Sequence, residues 1–353
     1  MIDFRYHLVS LISVFLALAV GIILGAGPLQ GAIGDQLTDQ VEALRTERNG
    51  LREELDEAQS RLSEQERFAA AAGEALVAES LTGTNVAVVD VDGVGDGVEQ
   101  EVLDQLENAG ATVVAHETLT ESWTAADEAT LRATVANGQR EPLLADLPTV
   151  LTEESGTSEL LGAALALSLT AADESDTGAL GERATELQQL LVRVGLVEEQ
   201  AAPSAPADVV LLLSSGVTQE EVAGAETATE DVEPAETGVA ALATTAGVVA
   251  DVTAAVVVAG PTTATGDLVS TVRAEEGLAE RVSTVSGTDQ ETGRLVVALA
   301  LAAQAAGHVG QYGFEDGASV LPPIVEPTPE EVPDAGTTVD QPSESDQAAE
   351  GEG

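Results

Sequence analysis

The stretch Val86–Ala115, VAVVDVDGVGDGVEQEVLDQLENAGATVVA, sets the fold class. Val86–Val91 is a short, β-branched apolar run bounded by Asp and Gly, which predicts a buried strand. Val98–Ala109 spaces its apolar residues helically and stops at Gly110, a helix C-terminal signal. Ala111–Ala115 reads as a strand again. Strand, helix and strand in this order make a βαβ unit and so a parallel pair.

Toward the C-terminus the alternation continues. Strands are expected at Asp208–Leu213, Ala254–Ala259 and Arg281–Val285, and helices at Glu159–Ser168, Leu180–Val194, Gly266–Glu275 and Thr292–Ala306. Continuous apolar strands separated by helices predict an α/β domain over 79–321 with a mostly parallel, doubly wound (Rossmann-like) sheet. Residues 117–206 read as a helix-rich insertion or cap, and Gln219–Glu236 as an exposed acidic loop. The segment 322–353 is rich in Pro and acid, holds no basic residue, and is expected to be a disordered tail.

The turn after the first strand, Asp90–Gly97, spaces its glycines G-x-G-x-G rather than G-x-G-x-x-G. Asp90, Asp92 and Asp96 would also repel a pyrophosphate, so no dinucleotide site is expected. Four apolar residues before D-x-D-G resemble the first motif of haloacid-dehalogenase-type phosphatases, which would make Asp90 a nucleophile and Asp92 an acid/base. That chemistry needs a basic residue, normally Lys, to hold the aspartyl-phosphate, and the chain has no Lys. A solvated acidic turn is the plainer expectation.

Toward the N-terminus, Leu8–Ala26 (LVSLISVFLALAVGIILGA) carries no charge. At a rise of about 1.5 Å per residue it spans about 28 Å, close to the hydrocarbon thickness of a bilayer. A cleaved signal peptide is the competing reading. The length of the apolar run, a weak positive n-region (Arg5, His7) and the lack of an A-x-A site favour an uncleaved anchor over 1–30. Arg5 before the span favours a cytoplasmic N-terminus and an extracytoplasmic bulk. Ser13, Ala17, Gly21 and Gly25 fall four residues apart, a small-residue ridge of the kind that packs membrane helices.

A break is expected at Gly27, Pro28, Gly31 and Gly34. Beyond it, Leu37, Val41, Leu44, Arg48, Leu51, Leu55, Ala58 and Leu62 alternate at spacings of four and three, the heptad seam of a coiled coil over 31–78. In a parallel pair Glu47 would face Arg52 of the twin chain, and Arg61 would face Glu66, both with opposite sign. The expected partner here is therefore a second copy of the chain.

Composition excludes several classes. The formal net charge of −49, from 62 acidic and 13 basic residues, repels nucleic acid. With no Cys there is no disulfide, thiolate nucleophile or iron–sulfur cluster, and with no Lys no Walker A motif and no pyridoxal Schiff base. His7, His116 and His308 lie in three separate segments without ligand spacing, and the one Met is Met1. No catalytic residue, metal site or cofactor is therefore expected, and Cu(I) in particular lacks soft ligands. Trp123, Tyr312 and Phe314 read as core or loop anchors.

The opening MIDFRYHLVSLISVFLALAVGIILGAGPL, the heptads directly after it and GHVGQYG at Gly307–Gly313 together resemble the actinobacterial MctB family, over the whole chain except the acidic tail. Members are labelled copper transporters or mycobacterial outer-membrane channel proteins. The family also includes SteB, a cell-division partner of SteA linked to control of peptidoglycan hydrolysis. The resemblance implies two functions. A pore needs many strands or several helices, because backbone groups in lipid must pair internally. One apolar helix and a soluble-looking domain suit instead a non-enzymatic envelope scaffold, a dimeric stalk presenting its domain to a SteA-like partner. Copper transport or homeostasis of the MctB type, with an outer-membrane location, is the alternative reading; an Asp-dependent phosphatase is a second.

Overall fold

The computed structural model describes residues 4–91, 93–216, 238–253 and 255–325, with side chains except at 26–38 and 66. The expected loop Gln219–Glu236, Asp92 and the tail from 326 onward lie outside the described residues. The chain divides into two units, Met1–Ala69 and Ala70–Gly353.

Helix α1 (Phe4–Val77) makes up the first unit and ends in the second. Its segment Phe4–Gly25 is long and apolar enough to cross a membrane by length and composition, and none of that segment is buried by the chain itself. The expected Gly/Pro break is not there: the backbone stays helical across Gly27–Gly34. A proline deletes one backbone hydrogen bond, but the turns on either side still close theirs.

In the second unit, β1 (Asn85–Val91), α2 (Asp96–Asn108) and β2 (Thr112–Leu119) form the expected βαβ unit. Then come α3 (Ala129–Asp146), α4 (Thr157–Thr170), α5 (Glu182–Arg193), β3 (Val197–Ala201) and β4 (Val209–Ser214). The chain continues through α6 (Val239–Val252), β5 (Ala255–Gly260), α7 (Leu268–Ala274), the single turn α8 (Glu276–Ala279), β6 (Ser283–Ser286), α9 (Glu291–Ala305) and β7 (Gln311–Tyr312). The sheet order is β3-β2-β1-β4-β5-β6-β7. All neighbours are parallel except β2 and β3, so the sheet is mixed.

Both faces of the sheet are apolar, the reason the strands read as continuous hydrophobic runs. Ala87, Val89, Val210, Leu212, Val256 and Val258 join a core with α3–α7. Val86, Val88, Leu211, Leu213, Val257 and Ala259 face the opposite layer, built from α2 and α9. The stretch 117–206 supplies α3, α4, α5 and the edge strand β3. Helix α4 is apolar nearly all round because it lies buried between neighbours. At Gly162 a Cβ would stand 3.1 Å from Thr245 Cα of α6, so the two helices cross backbone against backbone. Strand β6 begins two residues later than the expected Arg281, since Leu278 accepts backbone bonds from Arg281 and Val282 as α8 closes.

Of the aromatic anchors, Trp123 and Tyr312 are buried while Phe314 is exposed. Trp123 Nε1 donates to Thr245 Oγ1 at 3.3 Å. The GQYG stretch forms β7: Gln311 Nε2 donates to the carbonyls of Ala279 and Val282, at 3.0 and 3.2 Å.

Candidate metal centre

Asp90 is the sixth residue of β1, where Val86 and Val88 have already set the α2-facing layer. On β2 the pairing slips by one: Val86 faces Val113 but Ala87 faces Ala115, leaving Val114 as the extra residue of a β-bulge. Bulges re-aim the side chains beyond them. Here the bulge restores His116 to the same layer as Val88 and Asp90, and Glu117 to the opposite one. Glu99 enters from the first turn of α2.

These three residues meet. His116 Nε2 stands 2.7 Å from Asp90 Oδ2, a bond the imidazole N–H donates to the carboxylate, and 3.5 Å from Glu99 Oε1. One ligand atom from each residue lies within 4.8 Å of the other two. Asp90 is 2 % exposed, and its Oδ1 has no hydrogen-bond partner among the described residues. The Glu99 side chain is 25 % exposed and gives the cluster a solvent side.

The field at the cluster is negative. The hydrogen bond His116 donates to Asp90 lifts its pKa; burial opposes it, and the charges of Asp90, Glu99 and Glu117 add to the lift. Burial and then the Asp90 charge raise Glu99, with Asp96 contributing and His116 opposing. Across the sheet, burial pushes Glu117 up to about 7 against a 2.6 Å hydrogen bond donated by Gln188 Nε2. An imidazole nitrogen and two carboxylates in such a field can hold a proton or a divalent metal ion.

Sequence reading missed this centre for an identifiable reason. His116 lies 26 residues from Asp90, so no local ligand spacing signals the pair, and an unbulged β2 would aim the imidazole at the other layer. Asp90, read both as the end of the predicted strand and as the start of a solvated turn, is a buried strand residue.

The residues expected to pack a membrane or coiled-coil partner lie on α1 and are brought to no common site by the single chain. Ser13, Ala17, Gly21 and Gly25 are exposed; Ser13 Oγ donates to the Val9 carbonyl at 2.8 Å, and a Cβ at Gly21 or Gly25 would meet nothing within 4 Å. Val41, Leu44, Leu51, Leu55 and Leu62 are 42–63 % exposed, and Arg48 and Ala58 are exposed with them. Glu47 and Arg52 are exposed too, while Arg61 pairs with Glu57 at 3.1 Å within the helix. The side chains of Leu37 and Glu66 lie outside those described.

A family profile described as "Copper transport outer membrane protein, MctB" matches residues 1–323. Relatives named "Copper transporter MctB" occur in Mycobacterium tuberculosis and Mycobacterium bovis, 30% identical over 323 residues, which is 90% of this chain and 98% of theirs. A relative of the same name in Mycobacterium leprae is 29% identical over 328 residues, covering 91% and 99%. With a profile matching all of helix α1 and the whole mixed-sheet domain, the chain belongs to the MctB family.

Proposed function

We propose that this protein serves copper homeostasis at the cell envelope, as a membrane-anchored, non-enzymatic member of its family. The observation that carries the reading is the near end-to-end match to relatives named copper transporters. It displaces the scaffold reading to second place. Phe4–Gly25 supplies the tether, with Arg5 on the cytoplasmic side and the domain outside. The domain reads as doubly wound and Rossmann-like: from β1 the chain builds outward to β2 and β3, then returns to add β4 to β7 on the other side. Ligands of such sheets bind beyond the strand C-termini near that reversal, and Asp90 sits at the C-terminal end of β1. Because helices cover both faces of the sheet, copper handling is assigned to the tethered domain rather than to a pore made by these strands. Deleting the gene is expected to lower the copper concentration that halves growth and to change cell-associated copper, with both restored by the full chain. A deletion strain matching its parent on both counts sinks the proposal.

A dimeric stalk is favoured as a second reading by the exposed apolar seam Val41–Leu62. Two chains zipped in parallel would set their ridges of Ser13, Ala17, Gly21 and Gly25 together and present two domains to an envelope partner. Changing Leu44, Leu51 and Leu55 together to Asp is expected to convert the detergent-solubilised chain from dimer to monomer, weakening association more than about 100-fold, since each apolar side chain removed from a seam forfeits about 1.5–3 kcal/mol. Sedimentation in density-matched detergent reads the mass directly. A wild-type monomer at micromolar concentration refutes this reading.

A further inference from the structure

We infer that Asp90, Glu99 and His116 form a binding site for one divalent first-row transition-metal ion, with Cu(II) held tightest. Geometry comes first. Cis ligands about 2.0 Å from a square-planar ion stand about 2.8 Å apart, and ligands about 2.1 Å from a tetrahedral ion about 3.4 Å apart. The separations here are 2.7 Å from Nε2 to Asp90 Oδ2 and 3.5 Å from Nε2 to Glu99 Oε1, with all three ligand atoms within 4.8 Å of one another, so an ion that displaces the Nε2 proton to solvent needs only a small adjustment of the three side chains.

The second observation concerns Asp90 alone. Its Oδ2 is engaged by the imidazole, yet among the described residues Oδ1 is left without a donor in a residue 2 % exposed. A buried carboxylate oxygen without a partner carries a desolvation cost of about 1–3 kcal/mol, more when charged, and buried acceptors seldom stay unmet. A cation beside Asp90 satisfies that oxygen. The positive N-terminal end of α2 explains why Glu99 and Asp96 sit in its first turn, but it leaves Asp90 Oδ1 unmet.

The donor set then selects the ion. Calcium and magnesium prefer six or more oxygens and seldom take imidazole. Cu(I) wants thiolate or thioether, and this chain has no Cys and only Met1. One imidazole and two carboxylates suit Cu(II), Zn(II) and Ni(II), and Cu(II) leads the affinity order. Three protein ligands leave a coordination position open, and Glu99 faces solvent, which fits an ion taken up and released rather than one locked in for structure. Naming Cu(II) as the ion carried in the cell rests on the copper reading above; the donor set does not.

The test uses the full chain in detergent, stripped with chelator and desalted, then titrated with Cu(II) and separately with Zn(II) against a competing chelator. One tight Cu(II) per chain is expected, with an electron paramagnetic resonance spectrum showing coupling to a single imidazole nitrogen. His116→Gln should abolish that coupling and weaken binding about 100-fold or more, beyond the 10–100-fold typical of losing a mere supporting residue. His308→Gln should change neither. If His116→Gln proves unfolded by circular dichroism, Glu99→Gln decides: its partly exposed side chain is dispensable for packing, and a folded variant should bind about 10-fold more weakly. No tight equivalent in the wild-type chain, nitrogen coupling that survives His116→Gln, or a folded Glu99→Gln chain of unchanged affinity each overturns the site. The titration and the growth assay fail separately: binding without a copper phenotype removes the cellular role, and a phenotype without binding removes this site.

Discussion

Arg273→Met is expected to destabilise the domain by about 4 kcal/mol, because one guanidinium ties together β6, β7 and the turn that follows β7. From α7, Nε donates to Thr284 Oγ1 at 2.7 Å and Nη2 donates to the Tyr312 carbonyl at 2.7 Å, while Nη1 lies 3.5 Å from Glu315 Oε2. Glu315 in turn accepts hydrogen bonds from Ser286 Oγ and Thr263 Oγ1. A methionine keeps much of the apolar stem but leaves the Tyr312 carbonyl only the Ser286 hydroxyl at 3.2 Å and Glu315 without its countercharge. Urea unfolding of the solubilised chain, followed by circular dichroism, measures the loss. A change below about 1 kcal/mol, the size of a surface pair, contradicts the account.

The same cluster has a pH signature. Burial alone would raise the Glu315 pKa, but hydrogen bonds from Ser286 and Thr263, with the Arg273 charge, hold it down to about 2. A depressed carboxyl stabilises the fold fully above its ordinary value of 4.5, and that contribution is lost as pH falls from 4.5 toward 2. In Arg273→Met the smallest of these lowering contributions is lost, so this part of the pH dependence weakens while the two hydroxyl hydrogen bonds keep the rest. The gap between the two proteins should therefore be widest above pH 5 and narrow toward pH 2.

Gly293→Ala is expected to cost about 3 kcal/mol, although Gly→Ala inside a helix ordinarily gains about 1 kcal/mol. Gly293 is the third residue of α9, and a Cβ there would collide with the carbonyl of Gly287 and come within 3.0 Å of the Thr288 nitrogen. That loop cannot retreat easily. Gly287 holds a φ of +92°, Thr288 N donates to the Gly260 carbonyl at 3.0 Å, and Arg294 Nη1 donates to the Thr288 carbonyl at 2.7 Å. Gly50 on α1 is the control: a Cβ there meets nothing within 4 Å, so Gly50→Ala should stabilise its helix by about 1 kcal/mol. Opposite signs for one substitution, read from thermal or urea midpoints, check both environments; a gain at Gly293 would show the clash to be relieved at no cost.

Much of the fold was legible because local chemistry and tertiary environment agree. The β1–α2–β2 unit, β4, β5 and α9 follow from apolar runs, helical spacing and stop signals in their own residues. Helix α6 was hidden because Val239–Val252 is apolar nearly all round, which erases the helical period. Strand β3 was hidden because VEEQA is mostly exposed and charged, its partner lying on one edge only. The stop at Val77 is written in no glycine: Glu79 takes a φ of +63° that usually marks Gly or Asn. The centre at Asp90 was the least legible part. Asp90, Glu99 and His116 come from a strand, a helix and a second strand, and only pairing across the sheet brings them together.

The slip in β2 carries a constraint of its own. Were the C-terminal half of that strand to slide by one residue and iron out Val114, the imidazole would swing beneath α5, beside Gln188. Glu117 would take its place against Asp90 and Glu99, gathering three carboxylates around one spot with no cation among them. Like charges so close resist ionising together. Electrostatic repulsion thus guards this edge of the sheet against mispairing, where apolar matching alone would tolerate either alignment.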